Sequence, residues 1–175
     1  MLSKKQQSWL VVGIVLLALV LDQVSKVYIK THFQLGEARE VFSWFWIVFV
    51  ENNGMAFGIE WFSKLLLTLF RIVAVGVIGW YIHLMIHKQQ VRTGYLATIA
   101  MVMAGALGNI IDCVFYGKIW GYAGWFHGRV VDMLYFPLIR NAAGECVFFR
   151  PVFNIADSFI TVAVFLIILF YRKDL

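Results

Sequence analysis

The chain has 175 residues, is 62% hydrophobic and 14% charged, and has a mean hydropathy of +0.80. A soluble domain of this length would be about half apolar and about a quarter charged, so the composition excludes one and indicates an integral membrane protein. The net charge of +5 then belongs to loops and helix ends, and no nucleic-acid partner is expected.

The N-terminus, MLSKKQQSWLVVGIVLLALVLDQVSK, has the basic start and apolar core of a signal peptide. It lacks a small-x-small cleavage site, and Asp22 and Lys26 follow the core, so it reads as a retained first span. Four segments approach the roughly 20 residues needed to cross a bilayer: about 9–29, 65–86, 95–112 and 152–171. The whole chain, 1–175, reads as one membrane-embedded domain with no internal repeat. Four spans put both termini on one side. Lys4, Lys5, Lys88, Arg92, Arg172 and Lys173 place six basic residues in the 20 positions on the terminal side, against seven in 74 on the other. That density predicts cytoplasmic termini.

Between spans 1 and 2, residues 41–50 (VFSWFWIVFV) are β-branched and aromatic, a strand signal of about ten residues. Trp44, Trp46 and Trp61 suit a membrane interface, and residues 51–54 (ENNG) read as a turn. Residues 113–151 are punctuated by glycines and by Pro137 and Pro151, which predicts short strands and loops.

With this topology the unusual polar groups share one depth, the outer interface. Asp22 and Lys26 lie near the outer end of span 1, four apart and on one helix face; a self-neutralising pair is the simplest account of them. Gly108, Asn109 and Asp112 end span 3. Ala100, Ala104 and Gly108 step by four, a small-residue ridge that admits another helix. Asn154 and Asp157 open span 4, where an Asp also serves as a cap. Asp132 falls in the second outer loop. Ionisable groups at the edge of a membrane are costly, and a functional role is the default reading.

Other chemistries find no support. His83 and His87 share a helix face but lack a third metal ligand, Cys113 and Cys146 lack zinc spacing and read as unlinked thiols, and neither a phosphate loop nor HExxH is present. A pair of aspartates remains. Two carboxylates held close share a proton. The ionised member activates a water, and the protonated one polarises a carbonyl and protonates a leaving amine. This chemistry needs neither metal nor cofactor.

Five patches carry a resemblance along essentially the whole chain: Asp22-Gln23-x-x-Lys26, Asn52-x-Gly54-x-Ala56-Phe57, Gly108-Asn109-x-x-Asp112, Gly128-x-Val130-x-Asp132, and Phe153-Asn154-x-Ala156-Asp157-Ser158. Together they resemble lipoprotein signal peptidase (signal peptidase II), the bacterial membrane aspartyl protease. The resemblance implies an α-helical integral membrane protein of four transmembrane helices with a small extracytoplasmic β-rich cradle from the first outer loop. It implies Asp132 and Asp157 as the catalytic dyad. Asp22, Lys26, Asn52, Gly54, Gly108, Asn109, Asp112, Asn154 and Ala156 would line or support the site. It also implies an endopeptidase in the bacterial cytoplasmic membrane, active at the outer leaflet. That enzyme would act on diacylglyceryl-modified prolipoproteins just before the lipidated cysteine, without cofactor. Membrane lipid is the other expected partner, a monomer is expected, and members of the family are antibiotic targets.

The chain departs from the family pattern at Cys113, where an arginine usually follows the span-3 aspartate, and Arg71 is the expected substitute cation. It also has a longer segment between the two aspartates, with 140–150 as a surface insertion. Competing readings are a carboxylate-based transporter, which would want its acids near the midplane, and an assembly factor without chemistry.

Overall fold

The computed structural model describes residues 2–53, 64–88, 91–141 and 146–174. Helix α1 (Lys4–His32) opens on a capping box in which Ser3 and Gln6 satisfy each other's backbone N–H groups. A hairpin follows, β1 (Ala38–Phe42) and β2 (Phe45–Asn52), and then α2 (Lys64–Lys88) and α3 (Thr93–Ile111). Helix α3 runs on through a π-helical turn, Asp112–Tyr116, into the short α4 (Gly117–Ile119). Strands β3 (Val130–Tyr135), β4 (Ile139–Arg140), β5 (Cys146–Phe148) and β6 (Val152–Phe153) precede α5 (Ile155–Leu166), which ends in a second π-helical turn, Ile167–Tyr171.

Helix α1, helix α2 and the continuous Thr93–Ile119 helix are long and apolar enough to cross a membrane, with mean hydropathies of 2.1, 2.1 and 1.8. The fourth is shorter. The span expected over 152–171 begins only at Ile155, because Val152 and Phe153 pair with β3 as β6. The outward faces of these helices are apolar: Leu16, Leu17, Val20, Phe70, Val73, Trp80, Phe165 and Leu169 are all exposed. Water would penalise a continuous surface of this kind; hydrocarbon does not.

Helix α3 is the central post and packs against α1, α2 and α5. Its small residues set the spacing. Ala100 and Ala104 are fully buried, and a Cβ at Gly105 would run into the backbone oxygen of Ala156. At one end of the bundle Val11, Ile82, Met85, Ile86, Tyr95, Leu96, Ile99 and Ala100 form one apolar core. At the other, Ile29, Phe49, Tyr116, Val131 and Met133 form a second, between the ends of α1 and α3 and the sheet. The polar groups singled out in the sequence lie between the two.

The sheet has the order β1-β2-β3-β6, all neighbours antiparallel. Three expectations are corrected here. Residues 41–50 are not one strand: the chain reverses at Ser43–Trp44, with Phe42 opposite Phe45. No Gly, Asn or Pro marks that turn. Stacking of Trp44 on Phe42 and Phe136, at 5.4 and 6.1 Å between ring centroids, holds it instead. Asp132 does not lie in a loop but inside β3, an interior strand, opposite Val50 of β2. The cradle is not a product of the first connection alone, since β3 and β6 come from the second. Of the ENNG turn, Glu51 and Asn52 belong to β2, and Gly54, Ala56, Phe57 and Trp61 lie outside the described residues. Where a surface insertion is expected, β4 and β5 pair in a separate two-stranded ribbon with Ile139, Val147 and Phe148 exposed, and residues 142–145 lie outside the described residues.

Candidate active site

Five chain segments meet at the junction of bundle and sheet: the C-terminal part of α1, the end of β2, the end of α3, the middle of β3 and the first turn of α5. The buried ammonium of Lys26 ties them together. Its Nζ lies 2.8 Å from Asp22 Oδ2, 2.8 Å from Asp112 Oδ2 and 2.9 Å from Asn109 Oδ1. Three ammonium protons meet three acceptors. The i,i+4 pair expected from the sequence is therefore half of a three-residue ion cluster. Burying two carboxylates and an ammonium is tolerable only when pairing and hydrogen bonding are this complete.

The remaining lone pairs are also used. Asp22 Oδ1 accepts the Ala156 N–H at 2.9 Å, which locks the first turn of α5 onto α1. Asp112 Oδ2 lies 3.3 Å from the Val131 N–H, which locks β3 onto the end of α3. Gln23 Nε2 lies within reach of Asp112 Oδ1 (2.9 Å), Asp22 Oδ2 (3.0 Å) and Gly108 O (3.2 Å), and its Oε1 accepts the Tyr116 hydroxyl at 3.1 Å. Gly108 is obligatory for this approach, because a Cβ there would stand 2.6 Å from Asp22 Oδ2 and 3.0 Å from the Ala156 methyl.

From Lys26 the network continues to both remaining aspartates. Asn109 accepts from Lys26 and from Asn154 Nδ2 (3.1 Å), and its own Nδ2 donates to Asp157 Oδ1 at 2.8 Å. Asn154 is the N-cap of α5. Its Oδ1 accepts the Asp157 N–H at 2.9 Å, and Asp157 Oδ2 accepts the Asn154 N–H at 3.3 Å, a reciprocal capping box. The capping account of Asp157 is thus correct in geometry, and its other oxygen still faces Asn109. Asn154 Nδ2 also donates to Asp132 Oδ1 at 2.7 Å, and Asn52 Nδ2 donates to Asp132 Oδ2 at 3.2 Å.

Asp132 is 3% exposed. Burial and then the nearby Asp157 charge push its carboxyl up to about 7, against the opposing hydrogen bonds of Asn52 and Asn154 and the charge of Lys26. A carboxyl in that range holds a proton near neutrality and can also release it, the property required of a general acid or base at physiological pH. Asp157 is half-buried and Asn154 fully buried.

Of the residues singled out in the sequence, Asp22, Lys26, Asn52, Gly108, Asn109, Asp112, Asp132, Asn154, Ala156 and Asp157 all enter this assembly; Gly54 lies outside the described residues. Lys26 pairs with Asp112, and Arg71 Nη1 donates to Cys113 Sγ, the neighbouring residue, at 3.3 Å. Cys113 and Cys146 are free thiols, and His83 and His87 stack on each other, with ring centroids 4.2 Å apart. Sequence reasoning passed over Gln23 and Tyr116 as working groups. An amide inside an apolar span was the available signal for Gln23.

The family comparison decides what this arrangement belongs to. Residues 14–172 match the family model described as signal peptidase (SPase) II. The chain belongs to the signal peptidase II family. It is similar to the lipoprotein signal peptidase of Porphyromonas gingivalis, with 43% identity over 98% of this chain and 87% of that one. The lipoprotein signal peptidase of Amoebophilus asiaticus is 37% identical over 95% of this chain and 79% of its own length. Two solved structures, described as bacterial membrane enzymes determined by the in meso method, share the fold at 30% identity. One has a TM-score of 0.73 over 94% of this chain and 88% of that one; the other has 0.69 over 94% of both. As a member of this family the chain is an aspartic-type signal peptidase and a bacterial membrane protein.

Proposed function

We infer that this peptidase removes the signal peptide from prolipoproteins, with Asp132 and Asp157 as the two carboxylates that activate the attacking water. The observation that carries the reading is Asn154, which reaches Asp132 through its carboxamide and Asp157 through its backbone N–H. One residue thereby sets the spacing and orientation of both acids. Asp157, with two donors on its oxygens, takes a proton from water lying between the pair. Asp132, which holds its proton near neutrality, polarises the scissile carbonyl and then protonates the departing amine. The pair shares one proton in the resting state, so its two macroscopic constants describe the dyad and not either residue.

The substrate in this reading already carries diacylglycerol on the cysteine that follows the cut. Its acyl chains stay among membrane lipid beside the apolar helix faces, while its peptide crosses the sheet junction. Binding energy then comes mainly from the lipid, which leaves the site to orient a short peptide. In this reading the single domain has four spans, the shorter α5 included, both termini in the cytoplasm, the site at the outer leaflet and a monomeric working state.

Cleavage of a diacylglyceryl prolipoprotein by purified enzyme, wild type against Asp132→Asn and Asp157→Asn, tests the assignment. Each variant is expected to lose about three orders of magnitude or more in turnover, as loss of an acid–base partner costs at least 10²–10⁴-fold. Continued cleavage by either folded variant overturns it.

A further inference from the structure

A second charged cluster lies on the opposite face of β2 and takes no part in the chemistry above. Lys30, in the last turn of α1, pairs with Glu51 Oε1, and Arg129 Nη1 lies 3.0 Å from Glu51 Oε2. The Lys30 ammonium sits among three rings, 5.2 Å from the centroids of Trp120 and Tyr122 and 5.5 Å from that of Phe49. Arg129 stacks its guanidinium over Tyr122 at 5.4 Å, and its backbone N–H donates to the Tyr122 hydroxyl at 2.7 Å. The Lys30 and Glu51 side chains are 8% and 10% exposed. Cations among aromatic faces and a carboxylate held by two cations are mutually reinforcing.

The position of this cluster gives it a consequence for the reaction. Successive strand residues face opposite ways, so Glu51 turns toward α1 while Asn52 turns toward Asp132. Asn52 is the last residue of β2 and is paired with Val130, the last pair of this ladder among the described residues. A strand end frays unless something holds it. Here Glu51 is clamped from one side by α1 and from the other by the segment that leads into β3.

We propose that Glu51, held by Lys30 and Arg129, is a positioning residue that pins the end of β2 so that Asn52 keeps its hydrogen bond to Asp132. Burial would raise the Glu51 carboxyl, but the Lys30 and Arg129 hydrogen bonds outweigh it and hold the group below the usual range. Lys64, at the start of α2, is the further charge facing Glu51, and its Nζ lies 3.4 Å from Asn53 Oδ1. The charges facing Asp132 are Asp157 and Lys26. Because the Asn52 bond favours the ionised form of Asp132, releasing the pin raises that carboxyl further.

The proposal rests on the assignment of Asp132 to the dyad, and its test is separate from the test of that assignment. The measurement is the alkaline limb of the kcat/KM profile on lipidated prolipoprotein, for folded wild type, Glu51→Gln and Lys30→Met, with Asn52→Ala as reference. Pinning predicts that both cluster variants move the limb upward, by about half a pH unit each, in the same sense as Asn52→Ala. A through-space charge effect predicts opposite movements, downward for Glu51→Gln and upward for Lys30→Met. Opposite movements overturn the proposal, as does an unmoved limb in both variants. Arg129→Gln, at a half-exposed position, is the milder check and is expected to move the limb upward by less. Loss of the dyad assignment itself would show as retained turnover in Asp132→Asn, whatever these limbs do.

Discussion

Asn154 holds the Asp132 carboxylate at 2.7 Å with the same side chain whose oxygen caps α5 at the Asp157 N–H, 2.9 Å away. Cap and active-site bridge are therefore separable by substitution. Asn154→Ser keeps an N-cap oxygen and loses the donor to Asp132; Asn154→Ala loses both. The serine variant is expected to melt within about 1 kcal/mol of wild type, and the alanine variant lower by a further 1 kcal/mol or so. Both are expected to lose at least about 100-fold in turnover. Thermal unfolding in detergent set beside single-turnover cleavage separates the two effects.

The Asp132 carboxyl makes stability fall with pH. Its pKa is raised to about 7 in the fold from about 3.9 in an unfolded chain. Between those values the folded state binds the extra proton, so the stabilisation is present at about pH 4 and is lost as pH rises through 7. The amount is roughly 4 kcal/mol at most. Asp132→Asn removes this dependence. It is expected to match wild type near pH 4 and to melt higher than wild type at pH 8, with the loss of activity expected of a dyad variant. Unfolding temperatures of both proteins across that range decide it.

Lys26 is the costliest single position to alter. Lys26→Met leaves Asp22 and Asp112 buried without a cation, a loss of about 3–5 kcal/mol. The variant is expected to accumulate poorly and to unfold early. Pairing it with Asp112→Asn, which removes one uncompensated charge, is expected to recover part of the stability and little activity. Expression level and unfolding temperature of the single and double variants provide the check.

Glycine substitutions separate close packing from helix propensity. Gly108→Ala would set a methyl 2.6 Å from Asp22 Oδ2, whereas nothing lies within 4 Å of a Cβ at Gly13 or Gly76. The first is expected to cost about 1–3 kcal/mol and to reduce turnover through the Lys26 cluster. The other two are expected to be neutral, or to stabilise by up to about 1 kcal/mol. Unfolding temperatures of the three variants test the contrast.

Arg71 reaches the Cys113 thiol from α2, one residue beyond Asp112. A half-buried guanidinium in an apolar helix is expensive without a use. Arg71→Gln is expected to lower kcat/KM about tenfold or more, with a smaller effect on unfolding. Unchanged turnover and unchanged stability together would exclude a role.

Much of this architecture is legible in the sequence, because apolar length and the spacing of rare polar residues are local signals. The apolar runs marked the helices, and the polar residues at their ends marked a common depth. Long-range pairing was not legible in the same way. The reversal at Ser43–Trp44 carries no turn residue and is held by Phe136, some ninety positions away. Asp132 reads as a loop acid because its partners, Val50 and Asn52 of β2 and Asn154 at the start of α5, come from both sides of it in the sequence. Glu51, Lys30 and Arg129 look like scattered surface charges until the end of β2 is laid against α1. The later start of α5 has the same cause, since Val152 and Phe153 satisfy their backbone against β3.

The assembly of the two carboxylates has a bearing on the enzyme's own biosynthesis. Asp132 can be seated by the hairpin and α3, but Asn154 and Asp157 arrive on α5, which follows all of these in chain order. On the proposed assignment the nascent protein carries only half of an acid–base pair until α5 has been made. If the two act as the proposed dyad, hydrolytic power requires α5 to dock against α1, where the Ala156 N–H bonds Asp22. On the proposed dyad, a protease that resides among other newly inserted membrane chains would stay inert until α5 has docked.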